Sequence, residues 1–353
     1  MSDLFDYKKE MSELRFTEIQ KKALAEAAAS AARTPAKRRR PVFRTALIAA
    51  AMAAVLVVGS SAAGILPSPA EIFTPLFGGA AAQTEVIDKI GRPIGASDTD
   101  NGITITAEAI MGDQYNAVIV YTLTRDDGER FLPEGKGLDE TYLMMGGYGG
   151  ASWVKGGAHG GSWFVDEDPE DNQIQLVETA SSNVAMTKGT ANASFEDLQY
   201  WNAETEQAEL LYPGKWKLRF EVDYEDCSVR LGGGEAFSQD GLNFTISEIS
   251  VSPIAVRAAY TADEAVVWSD SPSGRQDPQD ARQSQRYFEN VEVLLTKTDG
   301  TVLDLSNAGG SISPDYDTGI SLCAKGQVLE EIIPLAELQS ISVGGVVYEI
   351  PHN

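Results

Sequence analysis

Asn101-Gly-Ile-Thr-Ile-Thr-Ala-Glu-Ala-Ile110 and Asp240-Gly-Leu-Asn-Phe-Thr-Ile-Ser-Glu-Ile249 share one pattern. Each opens on Asn/Asp-Gly, continues with an aliphatic residue, then Ile/Phe-Thr, and places an Ile four residues after that Thr. Asn-Gly and Asp-Gly are the preferred residues of two-residue hairpin turns, whose central positions both need positive φ. The alternation that follows is that of a strand with one buried face. A second pair recurs in the same order: Leu123-Thr-Arg-Asp-Asp-Gly128 and Leu295-Thr-Lys-Thr-Asp-Gly300. The extra length of the second copy falls in the polar stretch from Thr261 to Gln285, which carries Ser269-Asp-Ser-Pro-Ser-Gly274 and is expected as a loop. Two readings follow. As a degenerate repeat, the pairs predict two immunoglobulin-like β-sandwich domains joined near Ser250–Pro253. As chance, they are unrelated hairpins with the same turn chemistry.

Neighbouring stretches read the same way. Trp216-Lys-Leu218-Arg-Phe220-Glu-Val222 alternates cleanly after a Pro213-Gly214 turn, and Val291 and Val293 lead to another turn at Asp299-Gly300. Many short strands between Gly/Asp/Asn turns predict a mainly β exterior. Gly146-Gly-Tyr-Gly-Gly150 and Gly156-Gly-Ala-His-Gly-Gly161 are expected as hairpin tips; no Lys-Ser/Thr follows, so no phosphate loop is implied. Asp166-Glu-Asp-Pro-Glu-Asp171 is expected as a solvated turn. Asp98-Thr-Asp-Asn-Gly102 has the start of a calcium loop without the Glu at its twelfth position.

Charge divides the chain of 353 residues. The formal net charge of −24 is the sum of +5 over residues 1–44, zero over 45–66 and −29 over 67–353. The uncharged segment, Thr45 to Leu66, has 22 residues. As a helix it spans roughly 33 Å, enough for a hydrocarbon core of about 30 Å. Lys37, Arg38, Arg39, Arg40 and Arg44 precede it, and the next basic residue after it is Lys89. The positive-inside rule then places the N-terminus in the cytoplasm and the C-terminal region outside the cell membrane. Ser61-Ala-Ala63 offers the small residues of a signal-peptide cleavage site, but the preceding basic region is long for a signal. A retained single-pass anchor in the lipid bilayer is the expectation.

Leu4, Tyr7, Met11 and Leu14 lie on one helical face, and Thr17-Glu-Ile-Gln20 reads as the capping box of a second helix carrying Ile19 and Leu24. Two such short helices cannot bury their apolar faces alone. Either they lie on the membrane or they dock a cytosolic partner.

Catalytic chemistry is sparse. There are two His and two Cys in the whole chain. His159 sits among glycines and His352 is penultimate, so Ser-His-Asp and Cys-His sites are not expected. No metal site or cofactor is expected, and an enzyme is not. The acidic exterior argues against direct nucleic-acid binding. Cys227 and Cys323 both fall on the external side, where a disulfide can persist; a bridge between the halves and two free thiols both stay open.

With these features the chain resembles single-pass Gram-positive membrane proteins often described as anti-sigma factors, whose external domain is known only as a domain of unknown function. The carrying stretches are Tyr7-Lys-Lys-Glu-Met-Ser-Glu-Leu14 with Phe16-Thr-Glu-Ile19, the basic cluster and span, Gly95-Ala-Ser-Asp-Thr-Asp-Asn-Gly-Ile-Thr-Ile105, Val251-Ser-Pro-Ile254 and Ile341-Ser-Val-Gly-Gly345. The resemblance implies that Leu4, Tyr7, Met11, Leu14, Phe16, Ile19 and Leu24 hold an extracytoplasmic-function sigma factor inactive, while the exterior senses an envelope signal or ligand. Zinc-binding members carry His and two Cys in the inhibitor segment. Residues 1–44 contain neither, which implies the zinc-free kind. The expected organisation is a cytoplasmic helical segment (1–44), a transmembrane helix (45–66), an extracellular stalk (67–94), and β-sandwich domains at 95–250 and 251–353. The competing function is a cell-surface adhesion or ligand-binding protein whose N-terminus is only topogenic.

Overall fold

The computed structural model describes residues 66–132, 137–138, 141–153, 158–203, 205–270 and 277–352. The expected cytoplasmic helices, the basic cluster and residues 45–65 of the expected span lie outside them. No helix among the described residues is long and apolar enough to cross a membrane. The described chain is mainly β.

Eight strands build the first half: β1 (Arg92–Asp100), β2 (Ile103–Gly112), β3 (Asn116–Arg125), β4 (Leu143–Ser152), β5 (Ala158–Val165), β6 (Gln173–Ser182), β7 (Gly189–Asn202) and β8 (Gln207–Val222). Ten build the second: β9 (Val229–Leu231), β10 (Ala236–Gln239), β11 (Leu242–Val251), β12 (Ala255–Ala262), β13 (Val293–Lys297), β14 (Val302–Asp304), β15 (Gly310–Asp315), β16 (Ile320–Val328), β17 (Leu338–Val343) and β18 (Val346–Glu349). One sheet runs β1-β2-β3-β6-β5 and its counterpart β10-β11-β12-β16-β15; across each core lie β4-β7-β8 and β14-β13-β17-β18. The winding is the same twice, with β9 and β14 added in the second half.

The two opening stretches occupy equivalent hairpins. Asn101 and Gly102 (φ 49° and 77°) turn β1 into β2; Asp240 and Gly241 (φ 51° and 77°) turn β10 into β11. Each hairpin strand then carries a bulge at the matching place, between Ala107 and Ala109 against β3 and between Ile246 and Glu248 against β12. Opposite each bulge stands a buried tyrosine: Tyr121 faces Ala107 and Tyr260 faces Ile246. The second pair of stretches does not correspond. Leu123 lies in β3 of the five-stranded sheet, whereas Leu295 lies in β13, the counterpart of β4 in the opposite sheet.

Two expected boundaries are corrected. A break at 250/251 would cut β11, whose Phe244, Ile246 and Ile249 share one core with Tyr260, Leu295 and Ile341. Pairing of β9 with β11 carries the second half back to Val229. Residues 67–94 are not a stalk. They form helices α1 (Pro69–Phe77) and α2 (Ala81–Ile90) and enter β1. Ser68 caps α1 and Glu71 returns the bond to the Ser68 N–H. The reason for the cover is β3, which reads Ala117-Val-Ile-Val-Tyr-Thr-Leu123 and is buried on both faces. Ile119 and Tyr121 face the first core; Val118 and Val120, with Ala109, Met111 and Val177, face the other way and are sealed by Phe73, Phe77, Ile87 and Ile90. A continuous apolar strand demands a layer on each side.

Several polar and glycine-rich stretches also find other uses. Gly146–Gly150 and Gly160–Gly161 lie within β4 and β5, not at tips. A Cβ on Gly150 would stand 2.1 Å from Oε1 of the buried Glu178, which accepts from Tyr121 Oη (2.7 Å) and Ala151 N (2.8 Å). Pro213-Gly214 sits inside β8 as a bulge, not a turn, and Gly214 leaves room for the Trp216 indole. Asp98 and Asp100 accept the backbone N–H of Lys217 and Lys215, each at 2.8 Å, and so tie edge strand β1 to edge strand β8. The polar stretch after β12 folds in part as helix α3 (Pro278–Ser284) and a π-turn, Gln285–Glu289.

Lys325 on β16 is 1% exposed, and its Nζ donates to the carbonyls of Phe288 (2.9 Å), Glu289 (3.3 Å) and Val291 (2.8 Å). It caps the end of the π-turn. Burial pulls its pKa down to about 8. Its unfolded value is about 10.4, so between those pH values the unfolded chain holds more protons and stability rises with pH. This contribution is complete above the unfolded pKa and is lost as pH falls through the folded one. Comparing urea midpoints of Lys325→Met and the parent across that window should show a flatter rise in the variant; parallel curves would contradict the assignment.

Candidate functional site

The halves meet where corresponding turns face each other. Asp113, in the turn from β2 to β3, accepts Tyr115 N (2.8 Å), Asn116 N (2.7 Å) and Asn116 Nδ2 (3.0 Å) on Oδ1. Ser252 stands at the matching place between β11 and β12 and accepts Ala255 N at 3.0 Å. Its hydroxyl donates to Asp113 Oδ2 at 2.6 Å, and both residues are buried. Burial raises the Asp113 pKa, opposed by the donors around it.

A mixed polar seam continues from there. Tyr115 Oη donates to Glu248 Oε1 (2.8 Å), and the Arg257 guanidinium lies 4.2 Å from the Tyr115 ring centroid. Arg257 and Arg230 each approach the Glu248 carboxylate at 3.9 Å, and Arg230 Nε donates to Gln114 Oε1 at 2.8 Å. Asn183 takes a bond from Ser311 Oγ at 3.2 Å. Cation–π and charge-assisted contacts of this kind, part-buried at Tyr115, Glu248 and Arg257 and exposed at Arg230, fix a register between two surfaces. The helical layer is tied in as well: Gln83 Nε2 donates to the Ile332 carbonyl (3.0 Å), and Ile332 N to the Phe77 carbonyl (3.1 Å).

Beside this seam lies a cleft of about 420 Å³. Its floor is the outer face of β5 and β6, where His159 pairs with Ser181 and Gly161 with Thr179. Gly326, Gln327 and Val328 of β16, followed by Leu329 and Glu330, form the opposite wall, and Leu76 and Phe77 of α1 close one side. Trp163 stands at the rim, 43% exposed. His159 Nε2 is sealed from solvent and has no hydrogen-bond partner among the described residues. Burial lowers the His159 pKa, so the ring is neutral at pH 7.

The partner-binding residues named from the sequence lie outside the described residues, as do Lys37, Arg38, Arg39, Arg40 and Arg44. Cys227 and Cys323 are free thiols, which removes the disulfide option. Cys323 belongs to the core of the second half, and Cys227 packs on the cluster beneath the helices; burial pushes each thiol up to about 12. No group of three His, Cys, Asp or Glu side chains suited to a metal is found among the described residues. Asp113, Glu248, Arg257 and Trp163 were not singled out from the sequence. The repeat held one signal: Ser252 is the counterpart of Asp113, two residues that gain meaning only when the two turns are set side by side.

A profile of a family described as a domain of unknown function (DUF4179) matches residues 37–125, from the basic cluster through β3. No curated protein matches the sequence. Among solved structures, the chain is similar to a conserved domain protein from Bacillus anthracis at 14% identity and a TM-score of 0.46, over 76% of this chain and 82% of that one.

Proposed function

We propose that the chain is a membrane-anchored regulator: its N-terminal helices hold an extracytoplasmic-function sigma factor inactive, and its external halves, each an immunoglobulin-like sandwich, receive an envelope signal. The observation that carries this reading is the partition of charge in the sequence. A basic stub with an amphipathic face precedes an uncharged segment of membrane length, and an acidic body follows it. Sequestration by an apolar helical stripe is a recurring way to occupy a partner's groove. The body adds support for signal reception. Helix α1 starts three residues after Leu66, the last residue of the uncharged segment, and is fastened to both halves, through Phe73 on the first sheet and through the Phe77 carbonyl to Ile332. A shift between the halves would therefore act on the segment leading to the span.

Affinity capture with residues 1–40 should recover a sigma factor, identified by mass spectrometry, and Leu4→Asp or Leu14→Asp should lose it. Deleting residues 2–30 of the full chain should derepress a single regulon in transcript profiles. No sigma factor captured, or an unchanged transcriptome beside an intact surface phenotype, would replace this reading with the adhesion one.

A further inference from the structure

We propose that the free edge of β5 pairs antiparallel with β5 of a second copy of this chain, about a two-fold axis at Ser162, so that the two five-stranded sheets become continuous. The edge comes first. β5 ends the sheet β1-β2-β3-β6-β5, and among the described residues no strand pairs with its outer side. Arg125 N donates to the Asn172 carbonyl, which sets the alternation along β6: Leu176 and Glu178 turn their backbone groups to β3, Val177 and Thr179 theirs to β5. Their partners Trp163 and Gly161 therefore bond to β6, and Gly160, Ser162 and Phe164 turn N–H and C=O to the free side. Gly160, Gly161, Ser162 and Trp163 are all exposed. Other edges are defended. Asp98 and Asp100 strap β1 to β8, β15 ends on Pro314 and Asp315, and β4 slips register between Gly149 and Ser152. Strands β9, β10, β14 and β18 have only three or four residues. β5 has eight, with no charge, no proline and no register shift against β6.

A second copy is the occupant because the strand fits itself. Centred on Ser162, the antiparallel register sets Ser162 opposite the partner's Ser162 and Gly160 opposite the partner's Phe164. Outward-turned groups meet throughout, and each such pair exchanges two bonds, about six in all. In the close pairs between them, Trp163 falls on the partner's Gly161. A Cβ on Gly161 would meet nothing within 4 Å, and the Trp163 indole on the same face is 43% exposed. Each fills the space beside the other, the aromatic-over-glycine contact that steadies sheet edges. Moving the centre to Gly160 or Phe164 breaks that contact. Charge favours the same arrangement. Residues 67–353 carry −29, so two copies repel wherever charged faces meet, and β5 offers a contact without charge. Antiparallel pairing also sends the acidic turns that follow β5, residues 166–171, to opposite ends; a parallel pair would set them side by side. A charged foreign strand finds no counter-charge on β5. The pairing uses this edge alone and does not rest on the sigma-factor reading.

An edge pair of this size lies at the low end of interfaces, so the expected dissociation constant is on the order of 10 µM. Sedimentation velocity of the purified full-length chain in detergent, from about 1 to about 300 µM, should show monomer passing to dimer. Gly161→Arg adds bulk and charge only to open space; it should weaken association about tenfold or more and leave the urea midpoint unchanged. Trp163→Ala should weaken it too, and Trp201→Ala, which removes an equally exposed indole from β7, should not. Ser162→Cys should cross-link two copies under mild oxidation, because a bonded antiparallel pair stands about 5.5 Å apart at Cα, within the span of a disulfide. The parent gives the background from its two native thiols, and Val347→Cys, 60% exposed on edge strand β18, that from chance collision. A monomer at every concentration overturns the proposal. So does a dimer indifferent to Gly161→Arg, whose contact then lies elsewhere, or Ser162→Cys cross-linking no faster than Val347→Cys.

Discussion

Trp216→Ala should lower the unfolding free energy of the first half by about 4 kcal/mol, at the upper end of the range for large-to-small changes in a core. The side chain is fully buried and sits on β8 opposite Phe195. Its Nε1 donates to the Ile103 carbonyl at 2.9 Å, so the indole bonds the three-stranded sheet to the first residue of β2. Truncation removes the largest side chain of that core and leaves a buried carbonyl without its donor. Gly214 makes the effect testable a second way. A Cβ there would stand 2.2 Å from the indole, so Gly214→Ala should also destabilise the parent. In a Trp216→Ala background it should cost far less, because the clashing ring is gone. Urea unfolding of the four proteins gives the cycle. A shift below about 1 kcal/mol for Trp216→Ala, or additive effects of the two changes, would mean that the indole does not hold the sheets together.

The same residue shows what the sequence made legible. Trp216 to Val222 alternates, and Asn101-Gly102 and Asp240-Gly241 are turns that few other residue pairs can make. Local chemistry therefore sufficed for the hairpins and for the β class. Pro213-Gly214 misled because its glycine answers to the Trp216 ring two residues further along the same strand, not to a turn. Gly150 and Gly160 misled for a different reason: each makes room for a group distant in sequence, Glu178 and Thr179. The helices over β3 were legible and went unread. Ser68-Pro-Ala-Glu71 is a capping box with proline in the first turn, but the surrounding prolines and glycines suggested a stalk. Asp98 and Asp100 look like a metal loop in one dimension; only the position of β8 turns them into a strap. The seam lies at the far end of this scale. Nothing local marks Asp113 as a residue whose carboxylate meets a serine in the other half, since its environment is set by how two separately wound halves come together.

Asp113→Ala should cost about 3 kcal/mol, because it strips several donors of one buried acceptor. Part of that cost is local, since Asp113 also shapes its own turn. Ser252→Ala separates the parts: it removes the donor to Asp113 but also the cap on Ala255. In a double-mutant cycle the coupling between positions 113 and 252 should come to about 1–2 kcal/mol, the share of a charge-assisted bond across the seam. Asp113→Asn keeps an acceptor for the turn and should fall between the parent and Asp113→Ala. It also reads the titration. Burial raises the folded pKa of Asp113 above its unfolded value near 3.9, so in the window between them the folded chain holds more protons. The contribution of Asp113 is therefore complete below the unfolded pKa and is lost as pH rises through the folded one. Asp113→Asn should flatten this fall in urea midpoints measured from pH 3.5 upward. An unaltered slope, or no coupling in the cycle, would show that the carboxylate serves its own turn alone and that the halves are held by Tyr115, Glu248 and Arg257 instead.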